Sequence, residues 1–106
     1  MAYTKINYED VEPVADAMHF LRDPLGCEQL GLTVVECEPH WEGKPHDHAE
    51  NEHEEVYLLV EGRATVVVDG EEVSMNEGDA LRIDPESQRQ IQNRGVESTF
   101  VLVGAP

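Results

Sequence analysis

From about residue 30 onward, short apolar runs alternate with turn residues, and little of the chain has a helical period. LGLTVVECE (30–38) is apolar and β-branched, EVYLLVE (55–61) ends at Gly62, and ATVVVD (64–69) runs into Asp69-Gly70. That pair is a two-residue hairpin signal, because both positions tolerate a left-handed backbone, and EEVSM (71–75) is predicted as the returning strand. NEGD (76–79) turns the chain again. ALRID (80–84) before Pro85, the alternating RQIQN (89–93) and ESTFVLVG (97–104) complete the series. Many short strands at close spacing predict an all-β sandwich or barrel over residues 30–106.

The first 25 residues of the N-terminal segment 1–29 read two ways. Val11, Val14, Ala15, Met18 and Leu21 fit a helical stripe with Pro13 in its first turn, whereas MHFLR (18–22) also fits a strand leading into the turn DPLG (23–26). The segment is expected to contribute to the barrel edge or to a contact between two copies.

Length and charge narrow the picture. A chain of 106 residues supports one modest core, hence one domain. It contains 23 Asp and Glu against 7 Lys and Arg, a formal net charge of −16, which repels nucleic acid and anionic membranes. No run approaches the roughly 20 apolar residues of a membrane span, and the N-terminus MAYTKINYEDVE has no secretory pattern, so a cytoplasmic protein is expected. The acids are dispersed and Lys5 and Lys44 are the only lysines, a balance that resembles proteins of salt-loving microbes. Cys27 and Cys37 form no CxxC pair, and Cys37 in LGLTVVEC reads as a small core hydrophobe.

The chemistry is concentrated in HDHAENEHEEVY (46–57), with three histidines and five carboxylates. In an extended strand residues two apart face the same side, so His46 and His48 present both imidazoles to one point while Asp47 turns away. A carboxylate from the next strand, Glu54 or Glu55, completes three ligands, and only one of the two can face inward.

These residues resemble the cupins, small double-stranded β-helix (jelly-roll) barrels whose first motif reads roughly G-x5-H-x-H-x3,4-E-x6-G. His46-Asp47-His48 matches H-x-H, and Glu55, VYLLVE and Gly62 match E-x6-G. A second motif, G-x5-P-x-G, is similar to Gly70, EEVSM, Asn76, Glu77 and Gly78, with Asn76 in the proline position. The resemblance covers residues 30–103 and implies a divalent transition metal, Fe, Mn, Ni or Zn, on His46, His48 and Glu55. It also implies a small-molecule ligand and a homodimer.

The chain departs from that pattern at three places. Six residues, AENEHE, separate His48 from Glu55, so spacing from the histidine selects Glu52 and spacing to the glycine selects Glu55. The phase of the apolar strand favours Glu55, and Glu52 falls in a polar loop that tolerates insertions. Only two residues separate Gly43 from His46, so Gly43 is not the motif glycine. Where the family has a third histidine four positions before an asparagine, this chain has Arg89 before Asn93.

A guanidinium stays protonated and offers no lone pair, so Arg89 is not an ordinary metal ligand. Arg89, Ile91 and Asn93 share one strand face, and the apolar Ile91 marks it as inward. Arg89 is therefore read as a substrate-binding residue that clamps an anion, with Tyr57, in phase with Glu55, as a second substrate contact. His53 is the alternative ligand, Trp41 with His40 a candidate for the barrel mouth, and His19 structural or exposed. Two functions follow: a metal-dependent oxygenase or isomerase acting on a small polar or anionic molecule, or a non-catalytic ligand-binding or sensor cupin without obligatory metal.

Overall fold

The computed structural model describes residues 2–106. The strands are β1 (Met18–Phe20), β2 (Gly31–Cys37), β3 (Glu54–Glu61), β4 (Arg63–Val68), β5 (Glu71–Asn76), β6 (Ala80–Ile83), β7 (Arg89–Gln92) and β8 (Ser98–Ala105). One sheet has the order β1-β2-β8-β3-β6 and the other the order β5-β4-β7, and every pairing is antiparallel. Tyr57, Leu59, Val35 and Phe100 from the larger sheet meet Val66, Met75 and Ile91 from the smaller in one core. Full burial of each such side chain contributes about 1.5–3 kcal/mol.

The turns follow from residue chemistry. Asp69 and Gly70 both have positive φ, 48° and 82°, so β4 and β5 are joined by the mirror-image turn that matches strand twist. Gly62, with φ 91°, ends β3 where a Cβ would collide with the Glu97 carbonyl and the Ser98 hydroxyl. A side chain is excluded there by both conformation and space.

The N-terminal stripe does not form a helix. Val14 and Met18 exchange backbone hydrogen bonds of 2.7 and 2.9 Å across a turn in which Ala15 and Asp16 are left-handed, at φ 54° and 60°. β1 then adds to the edge of the larger sheet, with His19 opposite Val34. The DPLG segment lies in the one-turn helix Arg22–Leu25, which is capped by left-handed Gly26. His19 is structural: it is buried, and its Nδ1 lies 2.7 Å from the Val11 carbonyl.

Cys27 and Cys37 are both free. Burial pushes the Cys37 thiol up to about 12, so it packs as an uncharged core group. No helix among the described residues is long and apolar enough to cross a membrane.

Candidate metal centre

The H-x-H segment is positioned by β7. Gly43 N–H donates to the Ile91 carbonyl at 2.9 Å, and His46 and Arg89 exchange backbone bonds of 3.0 and 2.8 Å. Residues 42–46 therefore extend the smaller sheet beyond β7, setting His46 opposite Arg89. His48 is tied by its N–H to the Pro85 carbonyl at 2.8 Å. Asp47 is exposed and accepts from the Ala49 N–H at 3.1 Å, while the His46 and His48 rings meet edge to face with centroids 5.2 Å apart.

Glu55 arrives from the opposite sheet. It stands near the start of β3, paired to Ile83 on one side and Gly104 on the other, so central-strand pairing fixes its direction. Its neighbour Glu54 points outward to Arg82 at 3.1 Å. Glu52 is exposed in the connecting loop, and the His53 ring stacks near His48 at 6.4 Å without joining the donor cluster.

One donor atom from each of His46, His48 and Glu55 lies within 4.8 Å of the others. His48 Nε2 and Glu55 Oε1 are 3.3 Å apart, close to the roughly 3.4 Å between two ligands of a tetrahedral ion with bonds of about 2.1 Å. His46 Nδ1 lies 3.1 Å from the Lys44 carbonyl, to which its N–H donates, leaving the Nε2 lone pair for an ion. Burial holds His48 below the usual histidine range, with Arg89 and His46 acting in the same direction and Glu55 opposing them. A neutral imidazole is the form that ligates. The donor set therefore fits a divalent transition metal.

Arg89 is the largest fully buried side chain, at 0 % exposure. Its Nη1 donates to Glu55 Oε1 at 3.3 Å and its Nη2 to the Asp84 carbonyl at 2.7 Å, while Nε has no partner among the described residues. The strand phase sends it inward, but it ends behind Glu55 rather than on the cavity wall. Arg89 is not among the residues that line the cavity beside the candidate ligands.

The three candidate ligands open onto a cavity of about 270 Å³. Its remaining wall is mostly apolar: Phe20 and Met18 from β1, Trp41 from the loop after β2, Ile91 from β7 and Leu102 from β8. Tyr57 also lines it, and burial, reinforced by the Glu55 charge, pushes its phenol well above the ordinary value, so it stays protonated. Trp41 is fixed by its indole N–H donating to the Ala15 carbonyl at 2.9 Å, whereas His40 is exposed in a left-handed turn. Sequence reasoning missed Met18, Phe20, Thr33, Lys44 and Leu102 as cavity residues. Inward phase was available for Thr33 and Leu102, but nothing local brings β1 and β8 to one wall.

Buried Asn93 ties this region together by donating to the Glu38 and Val96 carbonyls, each at 2.8 Å, and to the Cys37 carbonyl at 3.2 Å.

Comparison with known proteins agrees with this architecture. A cupin protein from Bacteroides fragilis superposes with a TM-score of 0.83 at 23% identity, covering 99% of this chain and 85% of that one. A cupin-superfamily sugar phosphate isomerase from Silicibacter pomeroyi gives 0.78 at 22% identity over 97% and 76% of the two chains. A predicted oxalate decarboxylase from Thermotoga maritima gives 0.78 at 16% identity over 96% and 98%. At such identities the likeness concerns the fold alone. No curated protein sequence matches the chain. The family model described as "Cupin domain" matches residues 33–104, and the chain belongs to that family.

Proposed function

We propose that this cupin holds a divalent transition metal, Fe, Mn, Ni or Zn, on His46, His48 and Glu55, and presents its open positions to a small molecule in the adjoining cavity. One observation carries the reading: three donor atoms, two from the segment bridged to β7 and one from β3, converge within 4.8 Å on the wall of that cavity. When bound, such an ion supplies Lewis acidity and exchangeable positions for ligand oxygen, chemistry suited to an oxygenase or an isomerase.

The protein side of the chemistry rests on four groups. His46 is oriented by the Lys44 carbonyl. Arg89 holds Glu55 in place and offsets its charge, so it serves the site through Glu55. Tyr57, kept protonated, directs its hydroxyl toward Glu55, where a ligand on the ion would compete for that donor. Lys44 lies at the rim. The reading includes a cytoplasmic homodimer, in which pairing covers strand edges.

Elemental analysis of protein purified without chelator is expected to find about one transition metal per chain, lost in His46→Ala. Metal-free wild type that also fails to take up added zinc would contradict this reading.

A second reading has its own support. Glu55 Oε1 lies 3.3 Å from both Arg89 Nη1 and His48 Nε2, so the candidate ligands can satisfy one another without an ion. That arrangement suits a non-catalytic ligand-binding cupin. Retained affinity for a small molecule in protein that takes up no metal would favour it.

A further inference from the structure

The cavity beside the candidate ligands bears on which molecules can enter it. Arg89, the residue from which an anionic ligand was expected, is wholly buried and donates to Glu55 and Asp84. Among the described residues, Lys44 is the only lysine or arginine on the cavity wall, and it stands exposed. The chain carries a net charge of −16, so an anion approaches against the field of the whole molecule. Phe20, Met18, Trp41, Ile91 and Leu102 meanwhile supply an apolar surface, and the Trp41 indole N–H is already satisfied by Ala15.

A neighbouring hollow of about 250 Å³ shares His48 and Glu55 and includes Arg22, Asn51 and His53. Arg22 lines that hollow and not the cavity, and its guanidinium donates to the Cys27 carbonyl at 3.4 Å and the Glu28 carbonyl at 2.6 Å.

We infer that the cavity selects a compact, uncharged apolar body, a ring or branched chain, attached to an oxygen-bearing head that reaches the ion on His46, His48 and Glu55. The head rests on the metal-centre reading; the apolar body rests on the wall. At about 270 Å³ the space lies near the lower end of small-molecule sites, which excludes large polycyclic bodies. Each further methylene group taken from water into such a wall is worth about a factor of four in affinity.

The test uses two chelators with the same head and different bodies, acetohydroxamic acid and cyclohexanecarbohydroxamic acid. Binding to zinc-loaded protein is followed by calorimetry and by the fluorescence of Trp41, the chain's only tryptophan, which lies in the cavity wall. The cyclohexyl probe is expected to bind at least about tenfold more tightly than the methyl probe, and oxalate and inorganic phosphate no more tightly than the methyl probe. Phe20 is 46 % exposed, so Phe20→Ala leaves the core intact. It should reduce the cyclohexyl advantage at least threefold while zinc affinity stays unchanged.

Equal affinities of the two hydroxamates, or preference for oxalate or phosphate, would overturn the inference while leaving the metal centre standing. If zinc itself does not bind, the metal-centre reading fails separately. The same pair on chelator-treated protein then decides: a Trp41 response to the cyclohexyl probe alone supports the apolar selection, and equal or absent responses reject it.

Discussion

The two halves of the candidate metal centre are built to different standards. His46 and His48 stand on a segment that joins the smaller sheet only through isolated bridges, with a pair of backbone bonds between His46 and Arg89 and one from His48 to Pro85, and His46 is exposed. Glu55 stands on a strand paired on both sides and rests against a fully buried arginine. The histidine half can adjust to an ion at small cost. The carboxylate half is part of the fold, so a change there disturbs stability and binding together.

The sharpest break in that contrast is Glu55→Ala. It leaves Arg89 buried without its countercharge, and the metal-free protein is expected to lose about 3 kcal/mol in urea unfolding, the lower end for such pairs because water reaches Glu55. Replacing Arg89 as well, as Glu55→Ala/Arg89→Met, should restore most of that loss. An unchanged unfolding midpoint in the single variant would mean that the pair contributes nothing to the fold.

His46→Ala probes the other half. Its side chain is exposed, so stability is expected to change by less than about 0.5 kcal/mol. Zinc affinity should fall at least about a hundredfold, beyond what loss of a supporting group alone costs. Calorimetric titration and urea unfolding of the same sample separate the two quantities.

Acidification gives a smaller, graded effect. The folded state holds the His48 pKa below its ordinary value, chiefly by burial, so the unfolded chain takes up the proton first as pH falls. Stability from neutral His48 is present above about pH 6.5 and is lost as pH falls from there through the lowered folded value. Protonation of the many carboxylates relieves repulsion over an overlapping range, so the comparison is wild type against His48→Gln in metal-free protein. The wild-type advantage should shrink on acidification; an advantage that grows would place a charged His48 against Glu55.

The smallest effects belong to the loop between the halves. Glu52→Ala and His53→Ala are each expected to change zinc affinity by less than about twofold, because neither side chain belongs to the donor cluster. Loss in His53→Ala comparable to that in His46→Ala would bring His53 into the ligand set.

How much of this was legible in the sequence depended on how local each cause is. Strand phase alone separates Glu55 from Glu54 and turns Arg89 inward with Ile91 and Asn93, because a period of two admits no compromise once one residue is buried. The Asp69-Gly70 turn was equally local. The first 25 residues were ambiguous because the stripe from Val11 to Leu21 arises from a left-handed turn, a three-residue strand and a helix entry in succession, whose apolar positions mimic one helical face. The partner of the Arg89 guanidinium and the apolar cavity wall depend on which strands meet across the barrel. Sequence phase gives direction, whereas depth and neighbours come from topology.

The central claim is that His46, His48 and Glu55 bind one ion, and anomalous diffraction at the zinc absorption edge from zinc-loaded crystals tests it most directly. The account predicts a single peak per chain bonded to one nitrogen of each histidine and to a Glu55 oxygen, with bonds of about 2.0–2.2 Å. A peak elsewhere, or a fully loaded solution sample whose crystals show Glu55 still bound only to Arg89 and His48, would contradict it.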